Sequence, residues 1–247
     1  MRLKLDFIAI AILCLMTMAI PLYTKLSSVD LFVMERLGFP SKYMLNLSSS
    51  KCFRHVASGY YGVLFDVLRH SIIWFTPSII LELVLAPIVF SYITFANIEF
   101  GIDRALHVVP ATIRRIAMHR LIYGTILVSI PIVVGTFFAL ELIIPAKEVA
   151  LIFIYIPIPL SLVLTSSLLS FILCLLLRRS MYGAIISSIV AIIAFLSLRD
   201  TIIVAFSEAS MSRTPIPKVL LIDLYLFIPV AILLALSIYM IRRGIEL

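Results

Sequence analysis

The sequence predicts an all-α, polytopic membrane protein: six transmembrane helices, with a short cytoplasmic helix between the second and the third. Three observations lead there. Of the 247 residues, 63% are hydrophobic and only 13% are charged, against about 25% charged in a typical soluble domain. The mean hydropathy is +1.19. Apolar runs of spanning length recur six times, and the basic residues gather between them. Spans of about 20 residues each leave only loops and short amphipathic pieces, so the chain reads as one transmembrane domain over residues 1–247, with no room for a soluble catalytic domain. A net charge of +7 is expected to serve membrane lipids and topology rather than nucleic acid, because basic flanks orient apolar spans and meet anionic headgroups.

The first span, residues 7–23, follows Arg2 and Lys4. It is long for a signal-peptide core and lacks a small-x-small cleavage pattern, so it reads as uncleaved. Residues 24–70 form a long outer loop, in which 29–37 and 56–68 carry apolar residues at helical spacing and read as interfacial helices. The second span, 71–95, contains Glu82, Pro77 and Pro87. Residues 96–120 are polar and basic. The third span is 121–144, followed by a short turn at Lys147 and Glu148. The fourth, 149–177, is expected to kink near its start at Pro157 and Pro159, and Arg178-Arg179 closes it. The fifth span is 181–198, a polar loop covers 199–218, and the sixth span is 219–241, closed by Arg242-Arg243. Prolines inside spans are tolerated where neighbouring helices and Ser or Thr side chains satisfy the freed carbonyls.

An even number of spans places both termini on one side, taken as cytoplasmic. Lys and Arg then divide ten inside and ten outside, and six of the outer ones fall in the single long loop; without that loop the balance is ten to four, the usual inside bias.

The segment with most chemical content runs from Glu99 to Arg120. Gly101 breaks the chain after the second span, and a short helix follows with Asp103 in its first turn, where a carboxylate complements the helix dipole. Ala105, Leu106 and Val109 give it a small apolar face. Pro110 ends or redirects it, and a basic helix from Ala111, carrying Arg114, Arg115 and Arg120, leads into the third span. The expected object is a short helix protruding like a knuckle on the cytoplasmic side.

In type and order, Glu99, Gly101, Leu106, Pro110, Arg114 and Arg120 resemble the loop between the second and third spans of ABC type-2 permeases, the membrane subunits of many bacterial and archaeal exporters. Ile102 stands where a threonine is frequent in that family, and Val109 where a polar residue precedes the proline. The motif covers roughly a tenth of the chain. The resemblance implies that Glu99, Gly101, Asp103, Leu106, Pro110, Arg114 and Arg115 couple the membrane helices to a separate ABC ATPase. It implies two ATPase copies that bind ATP and Mg, a second permease copy or a homologous permease, outward transport of an unidentified substrate, and residence in the plasma membrane. The chain itself holds eight glycines and no Gly-Lys dipeptide, so it carries no phosphate-cradling P-loop. No catalytic residue, metal ligand or resident cofactor is assigned to it, and it is not expected to be an enzyme.

Glu82 lies near the middle of the second span. An ionisable side chain at that depth costs about 3 kcal/mol or more and faces a protein interior or a wet cavity. It is a candidate pathway or interface residue, or else a protonated carboxyl bonded to a neighbouring helix. Glu141 and Asp223 lie closer to outer span ends, where solvation is expected. Ser166, Ser167 and Ser170 form a small-residue face suited to close helix packing. Cys14, Cys52 and Cys174 draw no disulfide framework, and His55 and His70 read as structural or solvated. Two other classes remain open: a polytopic membrane enzyme, for which no constellation of acids and histidines assembles, and a secondary transporter or accessory subunit in which Glu82 would bind an ion.

Overall fold

Long apolar runs without polar interruption have one economical conformation in lipid, since a helix satisfies every backbone group internally. The computed structural model describes residues 2–27, 75–95, 110–143, 155–210 and 215–243, all but a short turn and hairpin of it helical. The helices are α1 (Arg2–Ser27), α2 (Phe75–Phe95), α3 (Pro110–Ile143), α4 (Pro157–Leu177), α5 (Ser180–Ser210) and α6 (Pro215–Arg243). Five of them, α2 to α6, are long and apolar enough to cross a membrane; in α1 the apolar stretch among the described residues is the shorter Ile10–Pro21.

Proline marks three helix starts. Pro110, Pro157 and Pro215 are the first residues of α3, α4 and α6, a position where the missing N–H costs nothing and the fixed φ is already helical. The basic stretch and the third span are therefore one unbroken helix, as the sequence leads one to expect. The short helix before Pro110 and the loop helices at 29–37 and 56–68 lie outside the described residues. Of the fourth span, expected from 149, the described part starts at Tyr155: Tyr155 is helical, Ile156 is a turn, and α4 begins at Pro157.

The expected polar loop at 199–218 is a correction. Helix α5 continues through Arg199 and Asp200 to Ser210, and α6 begins at Pro215. The physical reason lies in the residues. No Gly or Pro stands between Gly183 and Pro215, and the two charges neutralise each other in a 3.0 Å ion pair on the helix surface. Beyond them Ile202 is buried, which gives the extra turns an apolar face to pack.

Helix α2 is the spine of the bundle. Phe75, Ile79, Leu83, Ala86 and Phe90 are fully buried at helical spacing. Phe90 meets Phe171 of α4 edge-on at 6.4 Å, and the Ser188 hydroxyl of α5 donates to the Val84 carbonyl at 3.5 Å. Helix α4 packs against α3, α5 and α6, and α1 packs along α3. At that last interface a Cβ on Gly135 would lie 2.6 Å from Cβ of Thr17, so only glycine permits the approach.

The outer surface is the reverse of a soluble protein's. Helix α3 exposes Ile122, Ile126, Ile130, Val134 and Phe138 along one stripe, and α5 and α6 expose larger ones. Continuous apolar surface on this scale suits lipid and not water, in agreement with a multi-pass membrane protein. Hydroxyls within the spans fold back on their own helix: Thr94, Thr125, Ser129, Thr165 and Ser237 each donate to the carbonyl four residues earlier at 2.7 Å.

Helices α4 and α5 are joined by Arg178 and Arg179 alone. Arg178 adopts the left-handed conformation, with φ of 54°, which costs a non-glycine residue about 1–2 kcal/mol. The turn closes tightly. A Cβ on Gly183 would fall 2.6 Å from Sγ and 2.7 Å from the backbone nitrogen of Cys174.

Candidate functional site

Glu82 is 1% exposed, inside α2 and far from the ends of the helix. The Ser78 hydroxyl, one turn away, donates to its Oε1 at 2.8 Å. Its Oε2 has no hydrogen-bond partner. Across the interface Thr17 of α1, fully buried, stands close enough to interact with the carboxyl. The Thr17 hydroxyl also donates to the Leu13 carbonyl at 2.8 Å. Tyr155, also fully buried, tilts against Phe75 with ring centroids 5.1 Å apart and lies within electrostatic reach of Glu82.

Helix α3 completes the surroundings. Thr17 touches both Glu82 and Gly135, which puts those two residues at one level. At the other end of the pair, Gly124 lies against Phe90 and Thr94. Helices α2 and α3 are therefore antiparallel. Elsewhere on α3, Thr136 is fully buried, and its Oγ1 has no partner. The Glu82 carboxyl is thus accompanied by the hydroxyls of Ser78 and Thr17, with Tyr155 in electrostatic reach. Among the described residues no Lys, Arg or His is buried. The donor set is hard oxygen throughout, and no cluster of three or more His, Cys, Asp or Glu forms among the described residues.

A second polar cluster lies on the same helix, further along. Ser91 and Ser170 of α4 share a short hydrogen bond, Ser170 also reaches the Pro87 carbonyl at 3.5 Å, and Cys174 contacts Ser91 Oγ at 3.5 Å and the Ser180 carbonyl at 3.3 Å. Ser166, Ser167 and Ser170 are all fully buried, so the small-residue face on α4 is a packing face, and Ser170 is its contact with α2.

The residues singled out in the sequence fare unequally. Glu82 is placed as described. Glu99, Gly101, Asp103 and Leu106 lie outside the described residues. Pro110 opens α3, Arg114 follows in its first turns with its side chain outside the described set, and Arg115 is exposed at the basic end of the same helix. Glu141 belongs to α3, its side chain again outside the described set.

Asp223 is a correction. It is 6% exposed rather than solvated, and both carboxyl oxygens lack a hydrogen-bond partner. It lies on the face of α6 that also buries Val230, seven residues and two turns further along. Thr17 and Tyr155 were not legible as neighbours of Glu82. The one available signal was small polar residues at spans' mid-depth, and many such residues only bond back to their own helix.

No family model, curated protein or solved structure matches the chain.

Proposed function

We propose that the chain is the membrane subunit of an ATP-driven exporter of the ABC type-2 kind, with α1 as a sixth span, both termini cytoplasmic, and ATP and Mg bound by two copies of a separate ATPase. A second permease, identical or homologous, completes the assembly in the plasma membrane, and the substrate moves outward. The observation that carries this reading is the form of α3. It runs without interruption from Pro110, through Arg115 and Arg120, to Ile143. Near its basic end Gly124 brings it against Phe90 and Thr94 of α2. A force applied to the segment Glu99–Arg115 by a docked ATPase is thereby delivered along one rigid rod to the buried spine of the bundle. Such a rod is what coupling requires, since packed interfaces move as units and do not deform continuously. The ordered residues Glu99, Gly101, Leu106, Pro110 and Arg114 supply the specific resemblance.

The test is whether a P-loop ATPase is encoded beside this chain and co-purifies with it. Association is expected for the natural sequence and at least a tenfold loss for Leu106→Asp, with the variant still monodisperse in detergent. Equal retention of the ATPase by Leu106→Asp, or ATP hydrolysis by the purified chain alone, sinks the reading.

A further inference from the structure

We propose that the end of the bundle carrying Arg178, Arg179, Arg242 and Arg243 is a docking surface for anionic phospholipid headgroups. The helix directions bring these residues to one end. Phe75 packs on Tyr155 and Phe90 on Phe171, so α2 and α4 run parallel. Helix α5 turns back along them: Gly183 lies against Cys174, and Ser188 reaches Val84. Helix α6 follows after four residues. That joint reaches at most about 18 Å, while α5 is roughly 46 Å long, so α6 starts at the far end of α5. It packs along α4 and α5, burying Asp223, Val230, Ser237 and Met240 in turn, and so returns to the α4–α5 turn. Helix α3, antiparallel to α2, starts at this end too and adds Arg115 and Arg120.

The carboxylates are segregated from these arginines. Every Asp and Glu in α2 to α6, namely Glu82, Glu141, Asp200, Glu208 and Asp223, falls in the half of its helix away from the basic end. The segments 96–109 and 244–247, outside the described residues, hold Glu99, Asp103 and Glu246 against Arg104, too few to neutralise the arginines. The helix C-termini of α4 and α6 offset only about half a charge each. All four arginines of the surface are exposed, and a guanidinium pairs with phosphate through parallel N–H groups.

The occupant is a lipid because hydrocarbon surface adjoins the charge. Leu176, Leu177 and Met181, beside the arginine pair of the turn, are all exposed and offer apolar area to acyl chains. Tyr182 and Tyr239 are exposed as well, the residue type that settles at headgroup level. Arg243 donates from Nη1 to Tyr239 Oη at 3.0 Å, one turn back along the helix. Its guanidinium is thereby held at the membrane surface, with its stem along the helix. An acidic soluble protein would meet the charges and leave the apolar area unused.

The experiment places the full-length chain in vesicles of phosphatidylcholine and phosphatidylglycerol, with a spin label on the acyl chain of one or the other lipid. The electron paramagnetic resonance spectrum separates lipid held at the protein from bulk lipid. Phosphatidylglycerol is expected to be preferred at least threefold, and the preference to shrink at high salt. Arg178→Gln with Arg179→Gln, and separately Arg242→Gln with Arg243→Gln, should each reduce it, and the four together should remove most of it. Arg199→Gln with Lys218→Gln takes two charges from the far end and should leave it unchanged. Equal association of the two lipids with the natural chain overturns the proposal and leaves the surface to an acidic protein. So does an undiminished preference in the fourfold variant, or in both paired variants if the fourfold one fails to fold, or an equal loss on changing Arg199 and Lys218. No ATPase is present in these vesicles, so this proposal and the coupling reading fail separately.

Discussion

Two polar clusters sit on α2, and their hydrogen bonds close differently. Around Ser91 each hydroxyl finds a partner: Ser170 is bonded to it, Cys174 reaches both Ser91 and the Ser180 carbonyl, and the Pro87 carbonyl is contacted in turn. Around Glu82 one carboxyl oxygen remains open. Burial is alike in the two places, so solvent does not distinguish them. What differs is the cost of leaving the site as it is. A closed cluster in lipid is adhesive, since it satisfies groups that would otherwise face hydrocarbon. An open one leaves a buried polar group without a partner, which destabilises the bundle.

The largest perturbation of this contrast is steric and falls on the closed side. Gly183→Leu drives a side chain into Cys174, whose Sγ and nitrogen already lie 2.6 and 2.7 Å from the position of a Cβ. It is expected to cost about 3 kcal/mol or more, read as loss of monodisperse protein or an early unfolding midpoint in mixed micelles.

Next in size, and opposite in sign, is Glu82→Met. Replacing a half-satisfied buried ionisable group by an apolar one of similar volume is neutral or stabilising, here by about 1–2 kcal/mol. Unfolding in mixed micelles measures it, and marked destabilisation there would mean that Oε2 is satisfied after all.

The smallest effect is that of Ser170→Ala, about 0.6 kcal/mol, the usual worth of an interhelical hydrogen bond in a membrane protein. The same unfolding assay reads it. A cost of several kcal/mol would make the Ser91 cluster more than glue and erase the distinction between the two sites.

Much of the architecture was legible because lipid simplifies the code. Apolar runs mark helices, and Pro110, Pro157 and Pro215 mark where three of them start. Arg178-Arg179 marks where α4 stops. Charge misled at Arg199 and Asp200, which read as a loop when each is considered alone; paired on one helical surface they cost the helix little. Glu82 was conspicuous by depth, a property of one segment. Its neighbours Thr17 and Tyr155 come from two other parts of the chain, and nothing in the local sequence of Thr17 separates it from Thr94 or Thr125, which bond to their own helices. A site assembled across helices is written in packing, and packing here depends on glycines such as Gly135 whose partners are distant in sequence.

The two-residue joint between α4 and α5 also bears on how the protein is made. Two residues reach at most about 7 Å, while the hydrocarbon core is about 30 Å thick. The ribosome cannot deliver α4 to the bilayer, pause, and thread α5 in later from elsewhere. The pair inserts together as a helical hairpin, with Arg178 and Arg179 left at the face where the turn lies. Insertion as a pair sets the direction of both helices together, and Ser170, Cys174 and Ser180 meet where the hairpin closes.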